Sequence, residues 1–202
     1  MIQQKRKKLP VAAAILTGGS SSRMGKDKSL LRLDGQTLTA LAAQKLLMAG
    51  YSPVMVVGPK KAYGLPSGFP ILEEAFRGQG PLSGLEAALA ATGLACLLMP
   101  CDMPSLTISL LRKLRLAHKP GSQATAFEFE GRLQTLPAIY SARLLTRVRR
   151  KLGAKRNALF PLLRGKATGR LSLPKGTLLE NWNDPESITK HFETHSNSTK
   201  LS

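Results

Sequence analysis

The run Val11–Leu16, VAAAIL, holds six apolar residues with no polar interruption. A strand with one wet face alternates apolar and polar side chains, so an unbroken run must be covered on both faces. Further runs of strand length occupy residues 53–57, 95–99 and 136–140. Helical patterns lie between them. Leu38, Leu41, Ala42 and Leu46 share a face, with Gly50 placed to end the helix. Leu82, Leu85 and Leu89 share another, with Pro81 suited to the first helical position and Gly93 to the stop. Leu106, Leu110 and Leu114 mark a third, and Asp184 can cap a fourth whose first residue is Pro185. Strands that alternate with helices in this way predict an α/β fold, a mostly parallel sheet with helices on both faces. FEFEGRLQT, within residues 124–135, reads as a hairpin turning at Gly131, an antiparallel excursion in that sheet. Residues 143–170 are rich in Arg and Lys and resist assignment.

A chain of 202 residues fits one domain. We expect a basic N-terminal extension over residues 1–9, the domain over 10–192, and a disordered tail over 193–202. KRKK followed by PVAAAIL looks like the start of a signal peptide. The apolar part is short, however, and runs into a loop carrying more positive charge, with no cleavage site after it. No run approaches the roughly 20 apolar residues of a membrane span. Cys96 and Cys101 are separated by an odd number of positions, which places them on opposite faces of a strand and argues against a disulfide. The expected setting is the reduced cytoplasm, with no membrane partner.

Thirty Lys and Arg against 12 Asp and Glu give a formal net charge of +18. Such a chain attracts anions, whether nucleic acid, phosphorylated small molecules or lipid. A basic nucleic-acid-binding module explains the charge. It is disfavoured by an aromatic content of only 5%, with no aromatic-basic interleaving.

The segment LTGGSSSRMGKDKSL follows the first apolar run. Small residues between a buried strand and a helix let backbone N–H groups approach a phosphate closely. Two familiar motifs fail by counting. A Walker A loop needs four residues before its Gly-Lys, whereas five separate Gly19 from Gly25 and Asp27 follows Lys26. Gly18-Gly19 does not supply the Gly-x-Gly-x-x-Gly dinucleotide fingerprint either. What is left is a Gly-Gly turn, a Ser-rich span and the cations Arg23, Lys26 and Lys28. The second element is MPCDMPSL, in which Asp102 ends an apolar strand. Ligands of open α/β sheets bind outside the carboxyl ends of strands, and a single Asp there suits Mg2+, which borrows phosphate oxygens. Capping the following helix is the competing role for Asp102. His118, His191 and His195 lie away from both elements and read as surface or structural groups.

Together these residues resemble the MobA-like nucleotidyltransferases. LTGGSSSRMGKDK matches the family's opening L-x-G-G-x-S-x-R-M-G-x-D-K. GQGPLSGL resembles its G-x-G-P-L-x-G segment, PCDMP its metal-binding strand end, LPAIYS a later strand, and NWNDPES its closing Asn-x-Asn segment. The resemblance implies a three-layer α/β/α Rossmann-like nucleotidyltransferase fold. It implies transfer of GMP from GTP to molybdopterin with release of pyrophosphate, Mg2+ as cofactor, and molybdoenzymes or cofactor-delivery proteins as recipients. It also implies roles for individual residues. Leu16, Thr17, Gly18 and Gly19 would contact the nucleotide through backbone, Lys28 and Arg23 its phosphates, and Asp102 the metal. Glu74 would bind the nucleotide, and Asn181 and Asn183 would lie near the metal or the pterin. The chain departs from the family at Gly58, where Asn is usual, and at Glu74, where Asp is usual. Both positions bear on base selection. CTP-dependent transfer to the same pterin, or transfer to a sugar phosphate, is the alternative within this chemistry.

Overall fold

The computed structural model describes residues 9–17 and 27–173. A seven-stranded sheet divides the protein into three layers. Strand β1 (Val11–Leu16) is central, flanked by β4 (Val54–Val57) and β6 (Ala95–Pro100), both parallel to it. A two-residue strand, β5 (Ile71–Leu72), extends the sheet beyond β4. On the other side β8 (Arg132–Tyr140) pairs antiparallel with β6 and with β7 (Ala124–Phe129). The edge strand β9 (Thr168–Ser172) runs parallel to β7. The spatial order is β5-β4-β1-β6-β8-β7-β9. A separate small hairpin, β2 (Arg32–Leu33) with β3 (Gln36–Thr37), precedes the first helix.

The unbroken apolar run of β1 is buried along its whole length. Its alternate residues feed two different cores. Val11, Ala13 and Ile15 face α1 (Leu38–Met48) and α3 (Ile108–Ala117), meeting Leu46, Leu111 and Leu114. Ala12, Ala14 and Leu16 face α2 (Pro81–Thr92) and α4 (Leu145–Gly153), meeting Leu85, Leu89 and Val148. A one-turn helix, α5 (Phe160–Leu163), closes that second core with Leu162 and Leu163. The α/β/α expectation is met, and the 124–135 hairpin turns at Glu130 and Gly131, both with positive φ.

Two details differ from the sequence reading. Thr107 caps α3, its hydroxyl accepting from the Leu110 amide, so Leu106 packs just ahead of the helix and Leu111 with Leu114 forms the buried face. Residues 143–170 hold α4, α5 and the start of β9, two short helices and a polar edge strand whose patterns are too brief to declare themselves. The expected helix at Asp184 and Pro185 lies outside the described residues, as do the basic residues Lys5 to Lys8 and the tail. Cys96 and Cys101 are buried, unbridged and in opposite cores, as their spacing requires. Burial pushes both thiols up to about 12.

Candidate active site

From β1 the chain passes to β4 and β5 on one side, then crosses through α2 to β6 on the other. The carboxyl ends of β1 and β6 therefore flank a topological switch point, the crevice where open α/β sheets bind ligands. The Cys101 amide donates to the Leu16 carbonyl at 3.2 Å and closes the two strand ends together.

Asp102 follows directly. Its Oδ2 lies 3.5 Å from Lys28 Nζ, with side chains only 14% and 15% exposed. Lys28 stands on a rigid pedestal. It opens a single 3-10 turn (Lys28–Leu30) capped by Asp27, whose Oδ1 accepts from the Ser29 amide at 3.1 Å and the Ser29 hydroxyl at 2.5 Å. The Ser29 carbonyl in turn accepts from Thr39 Oγ1, in the first turn of α1, at 2.8 Å. Burial pushes the Asp27 carboxyl up, but hydrogen bonds from Lys61 and Ser29 outweigh it and hold the group below its ordinary value. Lys61 Nζ sits 2.5 Å from Asp27 Oδ2.

On the other side of β1 opens a cleft of about 850 Å³. The end of β1 (Leu16), the turn after β4 (Gly58, Lys60), the segment after β5 (Glu74, Arg77) and the start of α2 line it. Burial raises the Glu74 carboxyl above its ordinary value, and it makes no hydrogen bond or ion pair with any described residue. α2 enters this cleft without a side-chain cap, through Gly80 at φ 70° and Pro81 in the first turn. Gly84 packs so tightly on the end of β1 that a Cβ would come within 2.3 Å of Leu16 Cδ2. The GQGPLSGL segment is thus one wall of the cleft.

Thr17 lies between the two halves. Its amide donates to the Val57 carbonyl at 3.1 Å, and its hydroxyl lies 3.2 Å from that carbonyl and 2.9 Å from the Tyr63 hydroxyl. Of the residues expected at a site, the structure brings Leu16, Thr17, Lys28, Glu74 and Asp102 to one edge of the sheet. Gly18, Gly19, Arg23, Asn181 and Asn183 lie outside the described residues. His118 is elsewhere and structural: it is buried, with Nδ1 2.9 Å from Thr125 Oγ1, and burial lowers its pKa. Asp27, Lys61 and Tyr63 were not foreseen. The Asp-Lys pair ending the glycine segment was a visible signal for Asp27, whereas a single tyrosine in KKAYG carries none.

A glycine-rich sequence following the first strand, a lysine and an aspartate across the switch point, and an adjoining cleft suit a nucleotide-handling α/β enzyme. The MobA-like NTP transferase domain model matches residues 13–167, and the chain belongs to that family. It is a nucleotidyltransferase. A probable molybdenum cofactor guanylyltransferase of Opitutus terrae is 31% identical over 195 residues, covering 92% of this chain and 96% of the relative. Among solved structures, the molybdopterin-guanine dinucleotide biosynthesis protein A of Archaeoglobus fulgidus aligns with a TM-score of 0.71 at 22% identity, covering 92% of this chain and 99% of that one. A Mycobacterium tuberculosis protein in complex with manganese aligns at 0.68 with 16% identity, covering 92% and 98%.

Proposed function

We infer that the protein is a molybdenum cofactor guanylyltransferase: it transfers GMP from GTP to molybdopterin and releases pyrophosphate. The observation that carries this reading is the placement of Lys28 and Asp102 at the switch point beside a cleft lined by the half-buried Glu74 carboxyl, which pairs with no described residue. A base in the cleft leaves its triphosphate pointing across the end of β1. Guanine offers two adjacent N–H groups on its N1/N2 edge, which the two oxygens of Glu74 accept. Cytosine offers a carboxylate only one donor group, N4–H2, with the acceptor N3 beside it.

In the reaction a phosphate oxygen of the pterin attacks the α-phosphorus. The α–β bridging P–O bond breaks, and its electron pair leaves with pyrophosphate. The nucleophile is already anionic near neutral pH, so no general base is needed. The chain's task is to hold two anions together and to meet the charge that develops on the leaving group. Lys28, fixed by the Asp27-capped turn, donates to phosphate oxygens, and Arg23 adds a second cation. The backbone from Leu16 to Gly19 supports the phosphates, and Asn181 with Asn183 borders the pterin.

Asp102 fits a hard divalent cation, assigned here as Mg2+. Among the described residues no cluster of three or more His, Cys, Asp or Glu could hold a metal on protein ligands alone. Asp102 would hold such a cation through a single carboxylate, and water and phosphate oxygens could complete its shell, as Mg2+ commonly allows. When bound, it supplies charge neutralisation at the phosphates.

Pyrophosphate release with molybdopterin and each of GTP, CTP and ATP tests the reading. GTP is expected to give the highest kcat/KM. A preference for CTP would move the assignment to the cytidylyl reaction, and no release with any nucleotide would overturn it.

A further inference from the structure

The segment after β4 grips both ends of the glycine-serine stretch. Tyr63 reaches one end. Its ring is 2% exposed, its hydroxyl lies 2.6 Å from the Pro59 carbonyl and 2.9 Å from Thr17 Oγ1. Its own carbonyl accepts from Thr37 Oγ1, which also caps α1 by accepting from the Ala40 amide. Tyr63 is thus held by its backbone carbonyl at one end and by its hydroxyl at the other. Lys61, two residues earlier, reaches the other end through Asp27.

Counting protons shows what the hydroxyl does. Tyr63 has one O–H, and the short contact to Pro59 makes that carbonyl its acceptor. Thr17 then has two acceptors for its own O–H, the Tyr63 oxygen and the Val57 carbonyl. One chain of hydrogen bonds therefore joins the last described residue of the β1 end to the cleft-lining turn at Gly58 and Pro59. Among the described residues, removing the Tyr63 hydroxyl takes away the Pro59 carbonyl's hydrogen-bond donor and leaves the Thr17 hydroxyl tied to Val57. The Lys61–Asp27 pair is more exposed, and exposed pairs of this kind contribute little. Tyr63 is the stronger tie.

From this we propose that Tyr63 is a positioning residue for nucleotide binding: its hydroxyl sets the Thr17 end of the glycine-serine stretch against the cleft, acting through Thr17 rather than on substrate. The inference rests on the nucleotide-binding reading above. It predicts an effect on nucleotide affinity that spares turnover at saturation, because the residue touches neither the leaving group nor the metal side.

The test is a double-mutant cycle of Tyr63→Phe and Thr17→Val, read as the Kd for GTP with MgCl2 and as the KM/kcat split with molybdopterin. Tyr51→Phe is the control. Tyr51 is equally buried and donates to the Leu111 carbonyl at 2.9 Å, at the amino-terminal end of the sheet. We expect Tyr63→Phe to raise Kd and KM for GTP about fivefold with little change in kcat. The double variant should be no weaker than the worse single variant, and Tyr51→Phe should lower the melting temperature without changing Kd. Unchanged GTP affinity in Tyr63→Phe, losses that multiply in the double variant, or an equal loss in Tyr51→Phe would each overturn the proposal alone. A wild-type protein that binds none of GTP, CTP and ATP would overturn the nucleotide reading, and this proposal with it.

Discussion

The two halves of the sheet are built on different terms. In the parallel half, β5-β4-β1-β6, the loops at the carboxyl ends are joined by polar and ionic contacts: Thr17 with Tyr63, Asp27 with Lys61, Lys28 with Asp102. In the antiparallel half, β8-β7-β9, the polar contacts lie along strands and helices away from the switch point, as where Arg170 of β9 pairs with Glu128 of β7 at 3.0 Å. α4 lays Val148 and Leu152 into the core and leaves its basic face outside, where Arg149 Nε pairs with Glu86 Oε1 of α2 at 2.8 Å. Glu86 is 6% exposed on its side chain, so this pair braces one helix on another, at a distance from the switch point. On the function proposed above, one half turns its charged residues toward a nucleotide, while the other pairs its charges along strands and between helices.

That contrast can be broken from either side. Lys28→Gln should cut kcat by on the order of a hundredfold, the scale for losing one preorganised contact to developing charge. Circular dichroism and the melting temperature should hardly move, because the cap at Asp27 and the Thr39 contact stay in place. Arg149→Ala should do the reverse. It strands a buried carboxylate and should cost about 1–2 kcal/mol, lowering the melting temperature by a few degrees while kcat/KM at low temperature stays near wild type. A large activity loss in Arg149→Ala with an unchanged melting temperature would place that arginine at the substrate and erase the contrast.

A smaller effect concerns pH. Burial raises the Glu74 carboxyl above the ordinary glutamate range, so protonation begins at a higher pH than for an exposed glutamate. The protonated group loses acceptor capacity, and KM for GTP should therefore rise as pH falls below neutral. Glu74→Gln should bind GTP about fivefold more weakly at neutral pH and show a flat profile over the same range. An unchanged acid limb in that variant would assign the titration to another group.

Legibility in the sequence follows the same division. The unbroken apolar run of β1 announced a strand covered on both faces, and Pro81 with Gly93 bounded α2 correctly, because burial and helix termini leave strong local signals. Leu106, Leu110 and Leu114 all pack on the core as read, but Thr107, in cap position, starts α3 after Leu106. β9 was invisible: TGRLS is a half-exposed edge strand, held by pairing with β7 rather than by an apolar pattern. Among the candidate site residues, Lys28 and Asp102 were named from motifs, and Glu74 from a family position where Asp is usual. Tyr63 was missed, because its role depends on a hydrogen bond across 46 positions of chain that no spacing encodes.

The central claim is that nucleotidyl transfer occurs at the switch point between Lys28 and Asp102. It is tested most directly by single-turnover transfer of labelled GMP from GTP to molybdopterin in wild type and in Asp102→Ala, at saturating Mg2+. The account predicts a folded Asp102→Ala protein that loses transfer by on the order of a hundredfold or more. Near wild-type transfer by that variant would contradict it.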